Sequence, residues 1–90
     1  MYSIFDVDGE RGELASSATI SIIYDVAKKL DLENLKSFLK LGYSTDIDGV
    51  LSDLNEIEFE QITEIEDVVS DFINFVTGSK EILIISNGVE

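Results

Sequence analysis

The clearest structural pattern in the chain runs over residues 56–86, which read EIEFEQITEIEDVVSDFINFVTGSKEILIIS. The first five residues alternate glutamate with a hydrophobic residue, which is typical of a strand with one exposed face. Thr63 and Glu66 have the spacing of a helix capping box, and hydrophobic residues then recur at helical steps to Val76. Residues 82–85 are four consecutive aliphatics, typical of a strand buried on both faces. The segment therefore predicts a βαβ unit with parallel strands.

Upstream of this unit, the chain begins with strand-forming residues at positions 2–7 and an Asp-Gly turn at 8–9. Serine at 16 or 17 is predicted to cap a helix that runs to about residue 30, because hydrophobic residues recur there at three- and four-residue steps. Residues 18–24 also alternate and are rich in β-branched side chains, so a strand is the alternative at that position.

Two shorter helices are predicted in the middle of the chain. Asp31 looks like the cap of the first, and Gly42 ends it as a left-handed stop. Thr45 or Asp46 begins the second. Residues 1–90 are therefore predicted to form one domain of the α/β (or α+β) class, in which three to four helices pack on a three-stranded, parallel sheet.

The composition restricts the chemistry that the chain can perform. Its 90 residues are 44% hydrophobic, and they include no cysteine and no histidine. Disulfides, thiol nucleophiles and histidine bases are therefore excluded, and we expect no enzymatic activity, no cofactor and no metal. The chain starts without a basic, apolar leader, and no apolar run approaches the roughly 18 residues of a membrane span, so the sequence predicts a cytoplasmic protein.

Charge is distributed unevenly along the chain. The formal net charge is −13, and all six basic residues lie outside the segment between Leu41 and Ser79. That segment carries ten carboxylates, at Asp46, Asp48, Asp53, Glu56, Glu58, Glu60, Glu64, Glu66, Asp67 and Asp71. Such a surface repels nucleic acid and anionic membranes and attracts basic proteins. We therefore expect a basic protein partner, with no binding to nucleic acid or membrane.

The function expected from this charge is that of a non-enzymatic interaction protein, which presents a carboxylate-rich face to a basic partner. Exposed aromatic residues among the carboxylates would anchor the interface. The predicted partner-binding residues are Tyr43, Asp46, Asp48, Asp53, Glu56, Glu58, Phe59 and Glu60. An alternative is a domain that acts through self-association, as a homo-oligomer joined by residual apolar surface.

In size, acidity and predicted element order, the chain resembles the barstar family of small acidic immunity proteins, which block nuclease toxins. Residues 64–86, a helix followed by an aliphatic strand, carry most of the likeness. The resemblance implies an immunity protein or nuclease inhibitor, with residues 43–53 in the role of the family's inhibitory helix.

A second resemblance is local and implies a different function. Residues 5–9, FDVDG, are similar to the first motif of the haloacid-dehalogenase phosphohydrolases, and residues 82–88 are similar to the second. The resemblance implies Asp6 as nucleophile, Asp8 as acid and base, Ser86 as phosphate ligand, and magnesium between the aspartates. However, glutamate replaces the usual threonine after the Asp-Gly pair, and the family's later lysine and acidic pair have no counterpart in these 90 residues. This alternative is a degenerate phosphohydrolase-like domain, and it requires Asp6, Asp8 and Ser86 to converge.

Overall fold

The computed structural model describes residues 1–86 and 88, which form one antiparallel sheet of four strands and a layer of four helices. The strands are β1 (Tyr2–Asp6), β2 (Gly9–Ala15), β3 (Tyr43–Ser44) and β4 (Ile82–Ser86). They lie side by side in the order β2-β1-β4-β3. The helices are α1 (Ser17–Lys29), α2 (Glu33–Leu41), α3 (Ile47–Phe59) and α4 (Glu66–Val76). The architecture is therefore α+β, and the prediction of a three-stranded, parallel sheet is wrong.

The main cause of that error is the segment at residues 56–60, which is the end of α3 rather than a strand. Ile57 continues the helical spacing of Val50 and Leu54, and all three side chains are buried. The alternation of acidic and hydrophobic residues fits both periods over so short a run. Since residues 56–60 form no strand, the predicted βαβ unit lacks its first strand, and β4 pairs antiparallel with both β1 and β3.

Strand β2 was not predicted, because its sequence GERGELA contains two glycines and three charges. It forms by hairpin pairing with β1, and the register shifts twice, which leaves Arg11 and Leu14 as extra residues on β2. An extra residue turns two consecutive side chains towards the same face of a sheet. Leu14 and Ala15 are accordingly both buried, while Arg11 reaches the end of α4.

Several local signals are confirmed. The side chain of Ser16 caps α1, and residues 18–24 are helical. Gly42 ends α2 in the left-handed conformation, with φ 79°. The side chain of Asp46 accepts a hydrogen bond of 3.1 Å from the N–H of Gly49 and caps α3.

Two predicted caps are wrong. Asp31 is itself left-handed, with φ 57°, and Leu32 occupies the N-cap position of α2 without a capping side chain. Helix α4 begins after Ile65, again without a side-chain cap, so the expected capping box does not form. Leu32 and Ile65, which immediately precede the two helices, are both buried, so apolar packing contributes to fixing each helix start.

The core lies between the helices and one face of the sheet. Ile4, Ile82 and Ile84 supply the sheet side, and the helices supply a larger set that includes Phe38 and Phe72. These two rings are tilted by 59° with centroids 6.0 Å apart, a favourable aromatic arrangement. The principal extents of 31 × 28 × 20 Å match two layers, each about 10 Å thick.

The opposite face of the sheet carries no helix within the described residues. Strand β4 is central, as predicted, but it is buried on one face rather than on both. Leu83 is 37% exposed and Ile85 is 46% exposed, whereas Ile82 and Ile84 are buried. The run of four aliphatics therefore reflects a covered inner face and an apolar outer face that the monomer leaves open.

Candidate functional site: a groove along helix α3

A groove of about 800 Å³ runs along the exposed side of α3. It is lined by apolar, acidic and neutral polar side chains, namely Leu30, Leu51 and Phe59, then Asp48, Glu56 and Glu60, then Ser52 and Asn55. All of these residues except Leu30 belong to α3 or to its C-terminal cap, and Leu30 is the C-terminal cap of α1. The groove is therefore essentially one face of a single helix, closed on one side by the end of another.

Helical periodicity explains why these side chains share a face. Val50, Leu54 and Ile57 point into the core, and the groove residues follow the same repeat on another side of the helix. A helix of 13 residues is about 20 Å long. The groove therefore offers a strip three turns long to a partner.

Phe59 gives the groove an exposed aromatic side chain. It is 84% exposed, whereas the other phenylalanines in the described part of the chain are buried or half-buried. Leu51 is half-buried beside the same groove. Exposed apolar surface that is bordered by charged groups is typical of interaction sites, whereas an ordinary solvent-exposed helix face is polar.

The C-terminal end of α3 carries negative charge that no basic residue in its last turn balances. Glu56, Glu58 and Glu60 lie at the end of the helix that carries the negative pole of the backbone dipole, and the last turn contains no basic residue. In the described residues, ion pairs join Arg11 to Asp6 and Lys36 to Glu33, and none involves a groove carboxylate. This end of α3 therefore favours an external cation.

The basic residues nearest to the groove along the chain are Lys28 and Lys29. They occupy the last turn of α1, immediately before Leu30, and both are exposed. Neither lysine lines the groove, so α3 and its cap supply all the charged lining residues and α1 contributes only Leu30.

Four of the eight predicted partner-binding residues line the groove: Asp48, Glu56, Phe59 and Glu60. Glu58 is exposed on α3 but lies outside the groove lining. Tyr43 lies on β3, where it pairs with Leu83 of the sheet. The structure therefore divides the predicted face between α3 and the sheet.

Asp46 and Asp53 have structural positions. The carboxylate of Asp46 accepts the N–H of Gly49 at the start of α3, although the residue is exposed. Asp53 is buried on the core side of α3, and its Oδ2 accepts the N–H of Leu35 at 2.9 Å. Asp53 consequently does not belong to a surface that meets a partner, which corrects its place in the predicted set.

The residues of the phosphohydrolase alternative do not converge. Asp6 and Asp8 lie in the turn between β1 and β2, where Asp6 Oδ1 accepts the N–H of Asp8 at 2.8 Å. Ser86 pairs with Tyr2 at the other end of β1. Tyr2 is four residues from Asp6 along the strand, which is a distance of about 13 Å. The second carboxylate oxygen of Asp6 is engaged by Arg11 and Ser79. The antiparallel pairing of β4 with β1 thus separates the two motifs, and Asn87 of the second motif lies outside the described residues.

Sequence reasoning missed Leu30, Leu51, Ser52 and Asn55 as groove residues. Leu30 and Leu51 fit the apolar spacing expected of core positions in their helices, and Ser52 and Asn55 are uncharged. The strand prediction at 56–60 also hid the continuation of α3 that places Asn55, Glu56 and Phe59 on one face. A signal was available, because Ile57 follows Leu54 at a three-residue step with no glycine or proline between them. Among the described residues, no group of three or more acidic side chains is arranged to hold a metal ion.

Comparison of the chain with protein-family models, with curated proteins and with solved structures found no significant match. Within the described residues, none of the helices has the length and apolarity needed to cross a membrane. The function is therefore inferred from the geometry and charge of the chain itself.

Proposed function

We propose that this protein is a non-enzymatic interaction protein whose groove along α3 binds a basic segment of another protein. The observation that carries the proposal is the combination of Phe59, 84% exposed, with the unpaired carboxylates of Glu56 and Glu60 at the negative end of the same helix. Apolar area supplies affinity, and the carboxylates select a partner of opposite charge and steer its approach.

The chemistry of the groove favours lysine or arginine side chains beside an apolar residue. A cation near Phe59 would meet both the aromatic ring and the flanking carboxylates, which add cation–π and ion-pair attraction. Leu30 and Leu51 would receive the apolar side chain of the partner. The strip along α3 is about 20 Å long, which suits a partner helix of about three turns with basic and apolar residues on one face.

The most concrete version of this function is inhibition of a basic nuclease. Glu56, Glu60 and Asp48 would occupy the lysine and arginine residues that normally hold phosphate, so that the nucleic acid is excluded from the nuclease site. Support for this version comes from the net charge of −13 and from the groove. The element order that suggested the barstar family is not observed, since β2 follows β1 and residues 56–59 are helical. Such an inhibitor would act in the cytoplasm.

The proposal is tested by binding of a labelled amphipathic peptide that carries leucine and arginine on one helical face, and of a basic ribonuclease. We expect Phe59→Ala and the double change Glu56→Gln with Glu60→Gln each to weaken binding by about tenfold or more. The matched control removes the same two charges outside the groove, by Glu64→Gln with Glu66→Gln, and should weaken binding much less.

Salt provides the second measurement of the same experiment. Affinity should fall as salt is raised, because the attraction is between exposed charges. If the groove and control variants lose equal affinity, the acidic residues act only through the net charge of the protein. That result would overturn the groove as the binding site. Binding of neither probe at low salt would overturn the proposed function.

A further inference from the structure

The outer face of the sheet, which is turned away from the helices, carries a continuous row of side chains across all four described strands. Tyr43 of β3 pairs with Leu83 of β4, Leu83 pairs with Phe5 of β1, and Phe5 pairs with Glu10 of β2. Residues that pair directly across antiparallel strands point to the same face. The row therefore reads Glu10, Phe5, Leu83, Tyr43 from one edge of the sheet to the other.

This face is apolar at its centre and uncovered. Leu83 and Tyr43 are 37% and 42% exposed, and Ile85, in the neighbouring row, is 46% exposed. Ile85 pairs with Ser3, which pairs in turn with Glu13. Both rows thus have an acidic residue on β2 and apolar side chains on β4. The run of aliphatics in β4 is typical of strands that are covered on both faces.

The row is complementary to itself when it is reversed. The reversal is produced by a two-fold axis that lies between the two facing sheets, parallel to the strands and midway between β1 and β4. Rotation about this axis brings β2 of one copy over β3 of the other. Phe5 of each copy then faces Leu83 of the other, and Glu10 faces Tyr43, whose hydroxyl can donate to the carboxylate. In the second row Ile85 is the exposed residue, whereas Ser3 beside it is already buried in the monomer. Self-complementarity of this kind is what an isologous dimer requires.

Charge also favours a second copy over a basic partner at this face. The carboxylates at positions 46–71 lie on or beside α3 and α4, in the helical layer, and the centre of the outer face contains no charged residue among those described. Two chains of charge −13 therefore approach each other most favourably here, with their acidic helices turned apart. In the reversed arrangement, the Glu10 and Glu13 edges of the two copies are also kept apart.

We propose that the outer face of the sheet is a homodimer interface, in which two copies pack face to face with the order of their strands reversed across this axis. The four strands span about 19 Å across and about 17 Å along β1 and β4, so the sheet face is smaller than the roughly 800 Å² per partner of a standard interface. The apolar centre is smaller than that, so dimerisation depends on concentration. The dimer leaves the groove along α3 free, because the two sites lie on opposite layers.

Sedimentation velocity over a range of concentrations tests the interface. We expect the wild-type sedimentation coefficient to rise with concentration towards that of a dimer, and Leu83→Lys and Ile85→Lys to abolish the rise. Ile22→Lys is the matched control, since Ile22 is also 37% exposed but lies on α1, and it should dimerise like the wild type. Circular dichroism checks that each variant is folded. A wild type that stays monomeric to about 1 mM, or folded lysine variants that still dimerise, would overturn the proposal.

Cross-linking tests the orientation independently of those variants. The chain contains no cysteine, so Glu10→Cys and Tyr43→Cys each introduce a unique thiol at opposite edges of the sheet. A short bis-maleimide should join the two variants when they are mixed, one of them enlarged by a tag. It should join neither variant to itself, because two Tyr43 positions are displaced laterally by about 14 Å. Efficient self-linking without mixed product would overturn the reversed arrangement.

Dimerisation and peptide binding should respond to salt in opposite directions, so the failure of one proposal can be distinguished from the failure of the other. Salt screens the repulsion between two chains of charge −13 and should strengthen the dimer, whereas it should weaken binding of a basic peptide to the groove. Phe59→Ala should weaken peptide binding and leave the sedimentation profile unchanged. Dimerisation that weakens with salt or with Phe59→Ala would contradict an interface on the sheet.

Discussion

The carboxylate of Asp53, on α3, accepts a hydrogen bond of 2.9 Å from the backbone N–H of Leu35, in the first turn of α2. Helix α2 has no capping side chain of its own, because Leu32 occupies its N-cap position. Asp53 therefore caps α2 from the neighbouring helix, and its negative charge lies at the positive end of the α2 dipole. At 8% exposure, this carboxylate links two helices rather than serving the acidic surface.

Removal of this cap should destabilise the fold. Asp53→Ala leaves the Leu35 N–H without its acceptor in a buried position, and we expect a loss of about 1–3 kcal/mol in the free energy of unfolding. Asp53→Asn keeps an acceptor and should lose less. Urea denaturation followed by circular dichroism measures both. The control Glu58→Ala removes an exposed acid from the same helix and should change stability by no more than about 0.5 kcal/mol. Equal effects at the two positions would show that Asp53 acts only through net charge.

The second prediction concerns Arg11, which holds the hairpin against the end of α4. Its guanidinium donates to the carbonyl oxygens of Phe75 and Thr77 at 3.2 and 3.3 Å, and to the buried carboxylate of Asp6 at 3.3 Å. Arg11→Ala leaves that carboxylate without its ion pair and two helix-terminal carbonyls without this donor. We expect a loss of about 1–3 kcal/mol in urea denaturation.

Two substitutions separate the geometry of this contact from its charge. Arg11→Lys keeps the charge but cannot reach three acceptors with one planar fork, so it should recover only part of the loss. Lys36→Ala removes a lysine whose partner, Glu33, is exposed, and should cost about 0.5 kcal/mol or less. Full recovery by lysine would mean that the contact is a simple charge interaction.

These two contacts indicate which parts of the fold the sequence can predict. Ser16, Gly42 and Asp46 act on backbone within three or four residues of themselves, and such local signals are readable from the chain. Asp53 and Arg11 act on residues 18 and 64 positions away. Nothing in their immediate sequence distinguishes them from the exposed charges around them.

The direction of the strands could not be predicted for the same reason. Strand β2 has poor intrinsic strand preference and exists because β1 lies beside it with two shifts in register. Residues 56–60 satisfy both the helical and the strand period, and the longer pattern through Ile57 decides in favour of the helix. Four of the predicted partner-binding residues nevertheless share the groove, because helical spacing places Asp48, Glu56, Phe59 and Glu60 on one side of α3.

The third prediction concerns the close approach of β2 to α4 at Gly12. A Cβ at this position would lie 2.5 Å from the ring of Phe75, closer than packing allows. Gly12→Ala should therefore destabilise the fold by about 1–3 kcal/mol. If the cause is the ring, Phe75→Leu should relieve it, and the double variant should lose less than the two single variants together. Additive losses in urea denaturation would place the cause in the backbone of β2 instead.

The last prediction concerns salt and the stability of the monomer. The Debye length is about 30 Å at 0.01 M salt and about 3 Å at 1 M, and the molecule measures 31 × 28 × 20 Å. At low salt the carboxylates of the −13 chain therefore repel one another across the whole molecule, and at high salt only neighbours do. We expect the urea midpoint to rise with sodium chloride at a protein concentration where sedimentation shows a monomer. The variant Glu58→Gln with Glu60→Gln, which removes two charges from the negative end of α3, should start from a higher midpoint and gain less. A midpoint that is independent of salt in both proteins would mean that the fold already compensates its charge locally.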